Sequence, residues 1–320
     1  MTRRETRLTN VLRSRGIGFI LALTGAWMVL HYPGQEPVAS DYMRPWMSLT
    51  AVRIANIAGL VLTAVALIAL NRTYNLLKTL SVFFAAYFIF TTCATPGVLD
   101  RLGTGVPLAL IVVLDIWLLF SVYNTRVSDR RIFLIFALLS AGALFELKML
   151  FFVPVFMVGL IQMKILRVKK IVAAIVGLVT PVWIVWGLDL MPLPSVPRIF
   201  YTPPHLVLDI PGGAPFIFTV GVTLVVGCIA GIVSLLRILG FNARARAFNA
   251  FIAILGIFTS VLALVNFTSV YTYVPLLNAC VAFQVGHFFR ATASRRGYIA
   301  VLLLLGSYFA LYSWTLALSR

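Results

Sequence analysis

The chain alternates long apolar runs with short polar breaks that are mostly basic. A helix needs about 20 apolar residues to cross the hydrocarbon core of a bilayer, with a range of roughly 17 to 25. Runs of about that length recur at 16–32, 49–70, 79–98, 103–123, 131–146, 149–165, 170–189, 213–236, 248–267, 271–289 and 298–318. The expected fold is therefore all-α, a polytopic transmembrane helical bundle of about eleven spans. It occupies one domain, 16–320, behind a basic leader at 1–15. The stretch 131–165 allows two readings. One long helix would hold Glu146 and Lys148 in mid-membrane, where each charge costs roughly 2.5–3.5 kcal/mol. A short hairpin lifts both to the interface, so the hairpin is expected.

Composition agrees with lipid as the solvent. Of 320 residues 61% are hydrophobic and only 11% charged, against nearly a quarter charged in soluble domains. The mean hydropathy is +1.02. A formal charge of +17 could mark a nucleic-acid partner, but the cations sit in clusters between apolar runs, which is the positive-inside pattern. With the N-terminus cytoplasmic, 20 of the 26 Lys and Arg fall on the inner side and the C-terminus falls outside. A bacterial inner membrane is the expected location, the lipid bilayer the expected partner, and no nucleic acid. Five arginines precede the first run, as in a signal peptide, yet no small-residue cleavage site follows Ile17–Leu30. The leader is expected to be retained. Cys93, Cys228 and Cys280 lie within apolar runs without CxxC spacing and read as buried small hydrophobes.

Several smaller features follow. Pro181 should kink its span. Gly227 and Gly231 form a GxxxG suited to close packing within the chain. The segment 190–212 contains six prolines and is expected as an outer loop against the membrane surface.

The acidic residues carry the functional clue. Glu36, Asp41, Asp100, Glu146, Asp189 and Asp209 map to the outer side, together with Arg44, Arg53, Arg101, Lys148 and Arg198. Carboxylates beside cations at a membrane surface can hold a divalent metal and a lipid phosphate. The simpler reading is that outer loops collect acids because topology strips them of Lys and Arg. The first outer loop, His31 to Trp46, gathers Glu36, Asp41 and Arg44 among aromatic residues. Asp100-Arg101 reads most simply as a solvated local ion pair. Asp115 lies inside a span, where an acid is functional or needs a partner. Arg53 lies about 6 Å below the outer surface and Asp115 about 18 Å, too far apart to pair directly. The acid is expected to be hydrogen-bonded to Ser, Thr or Asn, or protonated. The chain has no GxxxxGK[ST], HExxH or GxSxG and no metal-spaced Cys/His cluster. His31, His205 and His287 are scattered and read as interfacial.

The order of elements from Asn71 to Leu188, with a hairpin around LFELKMLFFVPVF and then KKIVAAIVGLVTPVW, resembles uncharacterised polytopic inner-membrane proteins of Bacteroidetes, a domain of unknown function. SAGALFELKMLFFVPVFMVGL and YTYVPLLNACVAFQVG are more distantly similar to helix pairs of the GT-C glycosyltransferases. That resemblance implies polyprenyl-phosphate sugar donors at the outer face and a catalytic or metal-binding acid in the first outer loop. Asp41, or less well Glu36, matches it, with Arg44, Arg53, Asp100, Arg101, Glu146 and Lys148 as substrate-binding candidates. A transporter or flippase working through Asp115, or a non-catalytic subunit of a cell-envelope complex, are the alternatives.

Overall fold

The computed structural model describes residues 15–32, 49–77, 82–100, 105–125, 129–189, 213–238, 240–291 and 295–318. Among them are eleven α-helices and no strand. They are α1 (Arg15–His31), α2 (Leu49–Tyr74), α3 (Phe83–Ala94), α4 (Gly105–Ser121), α5 (Asp129–Ala143), α6 (Val153–Gln162), α7 (Val168–Gly187), α8 (Gly213–Ile238), α9 (Ala243–Val265), α10 (Val270–Ala291) and α11 (Arg295–Leu318). A six-residue 3₁₀ turn, Leu147–Phe152, leads into α6. Each expected apolar run coincides with one helix, and 131–165 is a hairpin.

Several boundaries differ from the hydropathy pattern, two of them for visible local reasons. Helix α3 is only 12 residues long, because Thr95 precedes a proline and leaves the helical region, and Gly97 takes a φ of 72°. Helix α9 starts five residues before the apolar run at 248. The Asn242 side chain accepts from the Ala245 N–H at 2.9 Å and caps it.

Side-chain contacts fix the helix directions. Gly18 lies against Val82 and Ala86, and Gly25 against Ile89 and Cys93, so α1 and α3 run parallel. Gly59 meets Val106 and the Tyr74 hydroxyl donates to the Trp117 carbonyl at 3.1 Å, so α2 and α4 are also parallel. Helix α10 runs opposite to α3: Phe84 packs on Phe283 at 5.1 Å between centroids, and Asn278 donates to Thr92 at 3.2 Å. Phe152 with Phe258 and Phe156 with Phe251 set α6 against α9. Thr223 with Tyr308 and Phe218 with Trp314 set α8 against α11. Odd-numbered helices thus run one way and even-numbered helices the other.

The two ends differ in charge. One carries Arg72, Arg130, Arg131, Lys164, Arg167, Lys169, Lys170, Arg244 and Arg246 with Asp129 as its one acid among the described residues. The opposite end carries Arg53, Asp100, Glu146, Lys148 and Asp189.

Helices α3 and α10 form the centre. Eleven of the twelve α3 residues are buried, and in α10 so is every residue from 272 to 287. The outer helices are covered with bare apolar side chains, such as Phe19, Trp183, Leu236 and Leu303, each exposed by about two-thirds. A water-facing surface does not carry such a continuous apolar coat. Helices α2, α7, α8, α9 and α11 are long and apolar enough to cross a membrane. Helix α10 keeps Thr272, Asn278, Gln284 and His287 buried among protein. Cys93 and Cys280 are buried as expected, whereas Cys228 is exposed on α8, facing outward. Gly227 and Gly231 lie against Val281 and Gln284 of α10, so the GxxxG packs within the chain.

Small residues let α10 be approached closely. A Cβ on Gly105 would stand 2.4 Å from the Tyr271 carbonyl oxygen and 2.7 Å from the Pro275 ring. Gly221 has open space where its Cβ would be. Gly105→Ala should lower the thermal midpoint in detergent by the equivalent of roughly 1–3 kcal/mol, while Gly221→Ala leaves it unchanged or slightly raised. Equal midpoints would show that the α4–α10 approach is not tight.

Candidate functional site

Of the features singled out by sequence, Glu36, Asp41, Arg44, Arg101, Arg198, His205 and Asp209 lie outside the described residues, as do the segment 190–212 and all but the last residue of the leader. Arg53, Asp100, Asp115, Glu146 and Lys148 lie within them.

At the acid-bearing end, α3 closes with the turn Thr95-Pro-Gly-Val-Leu-Asp100, which swings Asp100 back against the first turns of α2. Arg53 Nε donates to Asp100 Oδ1 at 2.6 Å, and an Arg53 terminal nitrogen reaches the Tyr32 carbonyl at 3.4 Å. Asn56 donates to the Leu99 carbonyl at 2.8 Å, one helical turn further along α2, and pins the same turn. The carboxylate is held by Arg53, 47 residues away, and Arg101, the local partner expected from sequence, lies outside the described residues. Burial explains the choice. Asp100 is 4% exposed, and a carboxylate in so dry a place needs a partner that can follow it there. Its second oxygen, Oδ2, has no partner among the described residues. Asp100 helps line a cavity of about 20 Å³ with Tyr32, Thr95 and Gly97, the size of one water.

Glu146 and Lys148 form a separate cluster. They pair with each other at 3.2 Å where the chain turns from α5 into the 3₁₀ segment. Among the described residues no ion pair joins them to Arg53 and Asp100. The two clusters flank the start of α10, with Tyr271 interacting on the Tyr32 side and Tyr273 on the Glu146 side. No group of three or more His, Cys, Asp or Glu arranged to hold a metal occurs among the described residues.

Asp115 is the eleventh residue of α4, about 15 Å along the helix from Gly105. It is 0% exposed, and neither carboxyl oxygen has a hydrogen-bond partner among the described residues. The expected Ser, Thr or Asn donor is not there. The buried threonines return their hydroxyls to their own helices, as Thr91 and Thr92 do to Tyr87 and Phe88. Asn278 faces Thr92, and Gln284 faces the glycines of α8 and α9. His287, near the end of α10, is buried, with its Nε2 2.7 Å from the Asn249 side-chain oxygen. His31 stacks on Trp27 at 4.5 Å and is exposed. The signal for Asn249 and His287 is faint in sequence, because each stands singly in an apolar run.

Breaking the Arg53–Asp100 pair tests its structural weight. Arg53→Ala leaves Asp100 buried without a countercharge and should cost roughly 3 kcal/mol, the low end for a buried pair because the arginine is part-exposed. The double variant Arg53→Met/Asp100→Leu should recover most of that. Urea or thermal unfolding in mild detergent separates the two cases, and a double variant no better than the single one would overturn the assignment.

No protein-family model matches the chain, and no curated protein or solved structure does either, so what the site does has to follow from its own geometry.

Proposed function

We propose that the chain is a multi-pass protein of the bacterial inner membrane, with about eleven crossings and a cytoplasmic N-terminus. The alternation of helix directions and the gathering of cations at one end support this reading, since that end would face the anionic, Lys/Arg-retaining side. Its work is done within the bilayer: it carries a proton or a cationic solute past Asp115. The observation behind this is the Asp115 carboxyl, fully enclosed with both oxygens unpartnered. A structural acid in that position would have recruited a donor, because an unmet carboxyl in a dry core costs several kcal/mol. A group kept unmet is free to bind what passes.

A second reading, lipid-linked sugar handling at the outer face in the manner of GT-C glycosyltransferases, draws on Asp100. Its buried Oδ2 has no partner among the described residues, and Asp41, Glu36 and Arg44, in the chain between α1 and α2, are the further candidates from sequence. A divalent metal would be needed there only if the protein is an enzyme, and polyprenyl-phosphate lipids would be its partners.

The orientation is tested by impermeant maleimide on whole cells, with a cysteine added at Ser128 or at Ser195 in a Cys228→Ser background, where the remaining Cys93 and Cys280 are buried. Labelling is expected at 195 and not at 128; the reverse would invert the topology. The activity is tested with proteoliposomes on a solid-supported membrane, challenged with inorganic and organic cations at several pH values. Wild-type protein should give transient currents that Asp115→Asn abolishes, at equal incorporation and equal thermal midpoint. Currents untouched by Asp115→Asn would remove the carrier reading. Loss of an envelope glycan on Asp41→Ala or Glu36→Ala would favour the outer-face enzyme. Tolerance of all three substitutions would leave a non-catalytic subunit of an envelope complex.

A further inference from the structure

The basic end places two cations where a helix least favours them. Helix α9 opens Ala-Arg-Ala-Arg-Ala with no acid in its first turn, so Arg244 and Arg246 meet the positive end of the helix dipole. The Arg244 guanidinium stands over three rings, 5.3 Å from the centroid of Phe248, 5.9 Å from Tyr74 and 6.0 Å from Tyr123. Those rings are fixed by one another. Phe120 stacks on Phe248 at 4.2 Å, and Tyr74 and Tyr123 meet Phe248 edge-on at 5.4 and 5.5 Å. The charge of Arg131 reaches the same Tyr74 phenol. One Arg131 nitrogen donates to the Ser121 carbonyl and hydroxyl at 2.9 and 3.0 Å, which aims the rest of the guanidinium outward. Neither arginine pairs with a carboxylate among the described residues. Asp129, the one acid at this end among the described residues, is taken by Lys169 at 3.0 Å.

Among the described residues, these two exposed guanidiniums are thus held in place by neutral groups. A guanidinium against ring faces still offers N–H donors at its edge, and a planar fork of donors matches a phosphate. Aromatic rings at a helix end sit at headgroup depth. A solvated arginine on a flexible stem would need none of this support.

We propose that Arg244 and Arg131 bind the phosphate of an anionic phospholipid headgroup at the basic end, against the wall formed by Tyr74, Tyr123 and Phe248. The inner leaflet, rich in anionic lipid, supplies it. The choice of leaflet rests on the orientation proposed above; binding in detergent does not, so the two can fail separately.

The test titrates purified full-length protein with phosphatidylglycerol or phosphatidylcholine and counts bound lipid by native mass spectrometry. Phosphatidylglycerol should bind and phosphatidylcholine should not. Arg244→Gln and Arg131→Gln should each weaken binding about fivefold, the loss expected from one cation near the headgroup. Arg244→Lys, which keeps the charge and the stem, should lose less and serves if the glutamine variant does not fold. Arg167→Gln at the same end is the control and should bind like wild type. Equal losses for all three glutamine variants would mean diffuse attraction and would overturn the site. So would unchanged binding in both arginine variants, or displacement of the lipid by excess inorganic phosphate, which would mark a free-phosphate site instead.

Discussion

Lipid tails are as apolar as leucine, so helices in a bilayer gain nothing by hiding apolar side chains against one another. Close packing and met polar groups hold them together instead. In this protein that requirement falls on α10. Helix α4 reaches its backbone through Gly105, while α8 lays Gly227 and Gly231, and α9 lays Gly256, against its side chains Cys280, Val281 and Gln284, and Leu77 from the segment ahead of α3 packs on its own Gly286. The Gly105 approach leaves no room for even a methyl group. The other helices take their positions from these contacts, and α10 can be the least apolar long helix because protein surrounds it.

The charges divide between two different jobs. At the basic end several of them finish helix ends rather than pair with acids. Arg131 donates to the last turn of α4, and Lys170 donates to the Thr125 carbonyl just beyond it. A cation beside exposed carbonyls is favourable both as a hydrogen bond and against the negative end of the dipole. At the opposite end Arg53 and Asp100 act as a clasp between α2 and the end of α3, and Glu146 with Lys148 marks the turn of a hairpin. The charge cost that argues for that hairpin from sequence is the same cost the local pair relieves.

What could be read from the residues alone was whatever depends on length and charge. Eleven apolar runs became eleven helices, and Glu146 with Lys148 correctly split 131–165. What could not be read was which helix faces which. A lipid-facing face and a protein-facing face are both apolar, so hydropathy does not separate α3 and α10 from α7 and α11. The partner of Asp100 was hidden for the same reason. Arg53 was weighed against Asp115 by depth and found too far away, while the acid at its own depth stood 47 residues on in a turn. Asp115 was legible as an anomaly, but its lack of any partner needed the packed structure. The loop carrying Glu36, Asp41 and Arg44 lies outside the described residues.

The short central helix α3 has a consequence for how the protein is made. It carries Thr91, Thr92 and Thr95 and spans 12 residues, about 18 Å of helix. Its partner across the Thr92–Asn278 contact is 186 residues further along the chain. When α3 leaves the ribosome, α10 has yet to be made, and the surface that α10 will cover must wait in lipid or in the insertion machinery. Biogenesis of this protein is therefore a matter of holding an early, weakly anchored segment until a late one arrives. A chain stopped before α10 would present quality-control proteases with an exposed polar seam in the middle of the membrane.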